Sequence, residues 1–198
     1  MKRISTLLAA AAIGLASGAL PVAVAPAAAQ INNQDPARFV QGIGTTGLSA
    51  LRGNRNAARG KFRALLAQHF AVDAIGDRLI SRWRRQITPA QYQQYKAAFP
   101  GFIIGTYADR LHEYSNASFS VGQVQNRGNT AAVSSTVTRP GSRPAQVIWT
   151  LQRIGNGWKV TNLTVGGVNV ALAQQADFDS YIQRNGFDGL IAFMRRRG

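Results

Sequence analysis

Gly42-Ile-Gly44-Thr-Thr-Gly47 spells the G-x-G-x-x-G fingerprint that cradles a dinucleotide pyrophosphate. That chemistry needs a strand before the loop, a helix after it and an acid about 20 residues on for the ribose. Here a helical spacing of Phe39, Ile43 and Leu51 runs through the glycines, and no acid stands around Leu65 to Ala67. A glycine-rich amphipathic helix is the better reading. His69 and His112 are too few and too separated for a metal site. Gly47-Leu-Ser49-Ala-Leu51 lacks the second glycine of a hydrolase nucleophile elbow. Asp109 and Glu113 stand one helical turn apart and could share a proton, but Arg110 and Lys96 beside them make a solvated charged face the simpler reading. The chain has no cysteine, which removes disulfides, thiolate metal sites, a cysteine nucleophile and a lipobox anchor together. An enzyme would have to draw on Asp73, Asp109, His69 or His112.

The basic residues say more. Lys and Arg number 23 against 8 Asp and Glu, a formal charge of +15 in 198 residues. Arg78, Arg82 and Arg85, spaced i, i+4, i+7, form one predicted stripe opposite Ile75, Leu79 and Trp83. Trp83 inside Arg82-Trp-Arg84-Arg85 imitates a nucleic-acid stacking platform, yet its phase is that of the apolar face. The chemistry left is attraction to anionic headgroups or to an acidic protein partner, beside plain solubility. No nucleic-acid partner is expected.

Met1-Lys-Arg3 gives a basic start, Ile4 to Ala25 an uncharged Ala/Leu-rich run, and Ala27-Ala-Ala29 an A-x-A site. This pattern predicts a secretory signal over residues 1–29, cleaved before Gln30. A membrane anchor is the rival, since 18 or more uncharged residues can span a bilayer. Gly14, Gly18, Pro21 and Pro26 interrupt the run and argue against it. Residues 30–198 are then expected as a single domain outside the cytoplasm.

Residues 35–115 read as helices, 117–169 as strands and 175–195 as helix again. Phe62, Leu65, Leu66, His69 and Phe70 mark one apolar face; Val72, Ile75, Leu79, Ile80 and Trp83 mark the next, with Asp73 expected to cap its start. Thr88-Pro-Ala-Gln91 predicts a capping box opening a helix through Tyr92, Tyr95 and Phe99. Pro100-Gly101 should kink or interrupt that helix before Phe102, Ile103, Tyr107 and Leu111. From Asn116 the period becomes two: Phe119 and Val121, Val133 and Val137, Val147, Trp149 and Leu151, then Trp158 and Val160. Asn126-Arg-Gly-Asn129, Pro140-Gly141 and Asn156-Gly157 supply turns, so the strands form an antiparallel meander. Phe178, Tyr181 and Ile182 mark a last helix stopped by Asn185-Gly186, followed by a short basic helix. Helices gathered on one face of an antiparallel sheet make the class α+β.

Several stretches together resemble one family: Phe70-Ala-Val-Asp73-Ala-Ile-Gly76, Trp83-Arg84, Thr88-Pro-Ala-Gln91, Tyr95, Phe99, Tyr107 and Leu111. So do Gly157-Trp-Lys-Val160, Val165-Gly-Gly-Val168, Asp177-Phe178, Tyr181-Ile182, Gly186 and Leu190-Ile191. In order and spacing they are similar to the MlaC-like, or toluene-tolerance auxiliary, proteins across about residues 36–197. The hopanoid-associated branch of that family is an equally open home.

The resemblance implies a curved sheet of four to five strands, packed by helices around a deep apolar cavity that holds acyl chains. It implies a periplasmic carrier of phospholipid, or of a hopanoid-like amphiphile, with transient membrane proximity. The implied partners are an outer-membrane lipoprotein complex and an inner-membrane ABC transporter with an MCE-domain protein. No cofactor or metal is implied. Leu79, Trp83, Phe99, Ile103, Tyr107, Val147, Trp149, Leu151 and Val160 are the candidates for the cavity wall, and Arg78, Arg82 and Arg85 for headgroup or partner docking. Two acyl chains of about 15 methylenes each would cost on the order of 24 kcal/mol to expose to water, which a carrier must offset with apolar surface of its own. A small-molecule enzyme of the isomerase or dehydratase kind on the same α+β scaffold is the alternative. It would need a buried Asp, Glu or His facing the cavity.

Overall fold

The computed structural model describes residues 31–52 and 54–198, without the side chains of Asp109 and Arg110. The predicted leader and its cleavage site lie outside the described residues. Four helices come first: α1 (Pro36–Leu51), α2 (Arg55–His69), α3 (Val72–Leu79) and α4 (Pro89–Leu111), the last followed by a 3-10 turn at His112–Tyr114. Five strands follow, β1 (Ser118–Asn126), β2 (Thr130–Thr138), β3 (Ala145–Ile154), β4 (Gly157–Val165) and the two-residue β5 (Val168–Asn169), before α5 (Val170–Arg197). The strands lie in chain order and every neighbouring pair is antiparallel, so the sheet is the expected meander. Register shifts between Val121 and Val124 and between Thr150 and Leu151 insert extra residues, which bend strands and curve a sheet.

Local chemistry sets the helix starts. Asp35 accepts from the Arg38 N–H at 2.7 Å, Asn54 from Ala57 at 2.8 Å, and Asn169 from Leu172 at 3.0 Å. Thr88 and Gln91 close the box reciprocally: Thr88 Oγ1 accepts from Gln91 N at 3.1 Å, and Gln91 Oε1 from Thr88 N at 3.0 Å. Asp73 does not cap. It sits inside the first turn of α3, after an N-cap at Ala71 that offers no side chain, and its carboxylate pairs with Lys96 at 2.8 Å.

Three other expectations about helices are corrected. α4 runs on through Pro100, although proline removes one i→i−4 hydrogen bond. Packing holds it: Tyr95, Phe99 and Phe102 on either side of the proline are buried with Phe178, Leu190 and Met194 of α5. A Cβ at Gly105 would stand 1.6 Å from the Arg197 carbonyl oxygen, so α4 presents bare backbone where the last turn of α5 settles. α3 ends at Leu79, and tighter turns (Ser81 N to Arg78 O, Trp83 N to Ile80 O, Gln86 N to Trp83 O) carry the chain to Thr88. The predicted stripe of Arg78, Arg82 and Arg85 therefore does not share one α-helix. α5 starts five residues before the predicted 175, and Gly186 at φ 72° breaks its helical path where Asn185-Gly186 predicted a stop.

Two separate hydrophobic cores result. One joins Leu79 and Ile80 to α4 and α5 through Tyr95, Phe99, Phe102, Phe178, Leu190 and Met194. The other joins α1 to the sheet through Phe39, Val40, Val133, Trp149, Leu151, Trp158 and Val160. α2 belongs to neither. Its buried residues are only Ala58, Leu65 and Leu66. Beyond it, Ala71 N donates to Val160 O at 2.9 Å, pinning the α2–α3 joint to β4.

Candidate functional site: an uncharged cavity between the two cores

The space between the cores is a cavity of about 410 Å³, within the size range of ligand pockets. Leu79, Phe99, Phe102 and Ala171 reach it from the helical core, and Ile43, Val147, Trp149 and Val160 from the sheet core. All three buried residues of α2, with Phe62, face the same space, so the apolar side of that helix is spent on the cavity wall. Among the described residues no charged side chain lines it. The polar exceptions are Thr161, Asn162, Gln174 and the two tyrosines Tyr107 and Tyr114. Trp149 turns its ring to the cavity while its indole N–H donates to the buried Ser135 hydroxyl at 2.8 Å.

Of the nine residues predicted for the wall, Leu79, Phe99, Ile103, Tyr107, Val147, Trp149 and Val160 stand on it. Trp83 and Leu151 do not. Because α3 stops at Leu79, Trp83 turns away; it packs against the helical core, and its indole N–H donates to Asp179 of α5 at 2.6 Å. Leu151 shares the strand face of Val147 and Trp149 but lies in the filled part of the sheet core, which also holds Phe39 and Trp158. Sequence reasoning missed the wall from α1 and α2: Ile43, Leu48, Leu51, Ala58, Phe62, Leu65 and Leu66. Their helical periodicity marked an apolar face, and nothing in periodicity separates a face that meets protein from one that meets a void.

The glycines of the fingerprint lie within α1. A Cβ on Gly44 would fall 2.4 Å from the Phe119 ring, so glycine there lets β1 approach the helix. Gly44 and Gly47 also border the cavity. Their role is packing.

None of His69, His112 or Asp73 lines the cavity, and the Asp109 side chain lies outside the description. His69 packs edge-on to Phe39, ring centres 5.7 Å apart, and burial followed by the Lys159 ammonium lowers its pKa. The Nδ1 of His112, in the 3-10 turn, is buried without a hydrogen-bond partner. Glu113 pairs with Arg139 at 3.3 Å. Among the described residues no group of His, Asp and Glu could hold a metal ion, and no helix is long and apolar enough to cross a membrane. The docking candidates Arg78, Arg82 and Arg85 are exposed, with Arg82 held 3.9 Å from Asp179.

Fold and site define the class: an α+β domain whose helices close a largely apolar cavity over a five-stranded meander. A family model described as MlaC protein matches residues 43–196, and the chain belongs to that family. It is also similar to the Toluene tolerance protein ttg2D of Pseudomonas putida, 30% identical over 164 residues that take in 78% of this chain and 76% of the relative. Among solved structures it is similar to the phospholipid-binding protein from Ralstonia solanacearum, determined in complex with a phospholipid. The TM-score is 0.69, with 24% identity, covering 82% of this chain and 96% of the other. At that identity the likeness is one of fold.

Proposed function

We propose that the protein is a periplasmic carrier of phospholipid, its acyl chains buried between the two cores and its headgroup in water. The observation that carries this reading is a wall with no charged side chain among the described residues, built where two cores fail to meet. A cavity of this kind does for acyl chains what a bilayer does: it removes methylenes from water at about 0.8 kcal/mol each. It offers no group to react with them. Membership of the MlaC family supports the reading, as does the likeness in fold to a protein solved with a phospholipid bound. The active form is residues 30–198 after loss of the leader. Delivery needs no chemistry, only a second site of similar depth, and the partners proposed are the outer-membrane lipoprotein complex and the inner-membrane ABC transporter with its MCE-domain protein. The large positive charge speeds encounters with anionic lipid surfaces.

The test is organic extraction and mass spectrometry of the gently purified protein, followed by offering phospholipid vesicles to the stripped form. One phospholipid per chain is the expected result. Protein that carries no lipid and takes none up would overturn the carrier reading.

A further inference from the structure

Within the apolar wall the polar groups stand in an order that can be accounted for bond by bond. Thr161 Oγ1 donates to the Thr150 carbonyl at 3.2 Å and is satisfied. Asn162 Oδ1 accepts from the Ala171 N–H at 3.2 Å; a backbone donor there fixes which end of the amide is oxygen. Gln174 Oε1 accepts from the Tyr107 hydroxyl at 3.2 Å. Both amide oxygens are thereby occupied, and neither amide nitrogen has a partner among the described residues. Both side chains are half-buried and line the cavity. The cavity thus presents two amide donors without a protein partner, beside amide oxygens that each already accept one hydrogen bond.

Their position is as informative as their chemistry. Asn162 lies three residues before Val165, the exposed member of the lining, and Gln174 lies one helical turn beyond Val170, also on the lining. Tyr107 faces them from α4. Asn162, beside Ala171, and Gln174, one turn further along α5, therefore form one polar patch in a wall that is otherwise largely apolar. We infer that Asn162 and Gln174 hydrogen-bond the ester carbonyl oxygens of a diacyl lipid, and so select ester-linked lipids over ether-linked or purely hydrocarbon amphiphiles. The inference rests on the carrier reading and adds to it a rule of selection. An ester carbonyl only accepts, and it sits where acyl chain meets headgroup, which matches a pair of amide donors set in an apolar wall. A charged phosphate would lose its water in that position with only neutral amides to replace it, so it stays outside. Neither amide nitrogen is among the buried unpartnered atoms, so water reaches both in the empty protein and an ester carbonyl takes that water's place.

Binding of a diester phosphatidylglycerol is compared with that of the dialkyl ether of the same chain length and headgroup, by native mass spectrometry and displacement of a fluorescent lipid. A net hydrogen bond is worth roughly a factor of five, so wild type should favour the ester by about five-fold to 25-fold. Asn162→Asp keeps an oxygen for the Ala171 N–H and so holds the start of α5, but replaces the donor; Gln174→Met keeps the length and removes it. Each should lower the ester-to-ether affinity ratio, read within the same variant, about five-fold. Equal affinity of wild type for ester and ether overturns the inference and leaves the carrier standing, as does full ester preference in the double variant. Failure of both lipids to bind wild type overturns the carrier instead. Should a variant not fold, the comparison on wild type alone decides.

Discussion

Val147 sits near the start of β3, opposite Ser135 of β2 and Val165 of β4, 8% exposed and on the cavity wall. In a filled core, replacing it by tryptophan would cost about 1–3 kcal/mol through overpacking. Here the added indole has a void of about 410 Å³ to enter. Val147→Trp should leave the lipid-free fold within about 1 kcal/mol of wild type, because the ring is accommodated without moving its neighbours. The same ring occupies space that acyl methylenes need. Excluding three of them removes about 2.4 kcal/mol of binding, which is roughly a 50-fold loss in affinity. Urea unfolding of stripped protein reads the first quantity, and displacement of a fluorescent phospholipid reads the second. Two results would refute the reasoning. Lipid uptake as strong as wild type would mean that acyl chains do not lie against β3. A stability loss above about 3 kcal/mol with the cavity empty would mean that Val147 faces packed protein.

Two further expectations follow from close contacts. His69 is held below its ordinary pKa of 6.5 by burial and then by Lys159, so the unfolded chain binds its proton more readily. Its contribution is whole above pH 6.5 and is lost as pH falls below that value towards the lowered folded one. Urea midpoints at pH 7.5 and 5.5 should show wild type weaker in acid and His69→Gln with a smaller difference; equal slopes would refute it. Gly105→Ala places a methyl 1.6 Å from the Arg197 carbonyl oxygen, whereas one at Gly60 meets nothing within 4 Å. Thermal unfolding should show the first losing about 1–3 kcal/mol and the second gaining about 0.5–1 kcal/mol in helix propensity; stabilisation by both would mean α5 does not dock there.

What could be read in advance was whatever neighbours in the chain decide among themselves. The Thr88–Gln91 box, the period of two from Phe119 onward and the turns at Gly128 and Gly141, both at positive φ, are local facts and stand as local facts in the fold. The end of α3 is different. No breaker follows Leu79; the helix stops where Ile80 is fully buried and Trp83 reaches Asp179, about a hundred residues away. With that stop went the arginine stripe and the placement of Trp83. Pro100 does not interrupt its helix, because contacts from α5 outweigh a preference written in two residues. The candidate wall was legible on β3, β4 and α4. On α1 and α2 it was not, since an apolar face looks the same in sequence whatever fills the space beyond it.

The separation of the two cores also bears on how the chain finds its structure. The sheet itself, before α1 packs on it, can grow by successive hairpins, each strand pairing with the one just before it. The helical core cannot, because α4 and α5 are parted by the whole meander. Bringing them together across about sixty unfolded residues would cost roughly 3.5 kcal/mol in loop entropy, besides a constant. Once the meander has formed, its ends are already held and most of that cost is gone, so topology favours the sheet first and the docking of α5 second. β4, α4 and the start of α5 all border the cavity. The binding space is therefore complete only when both halves are, since each supplies part of its wall.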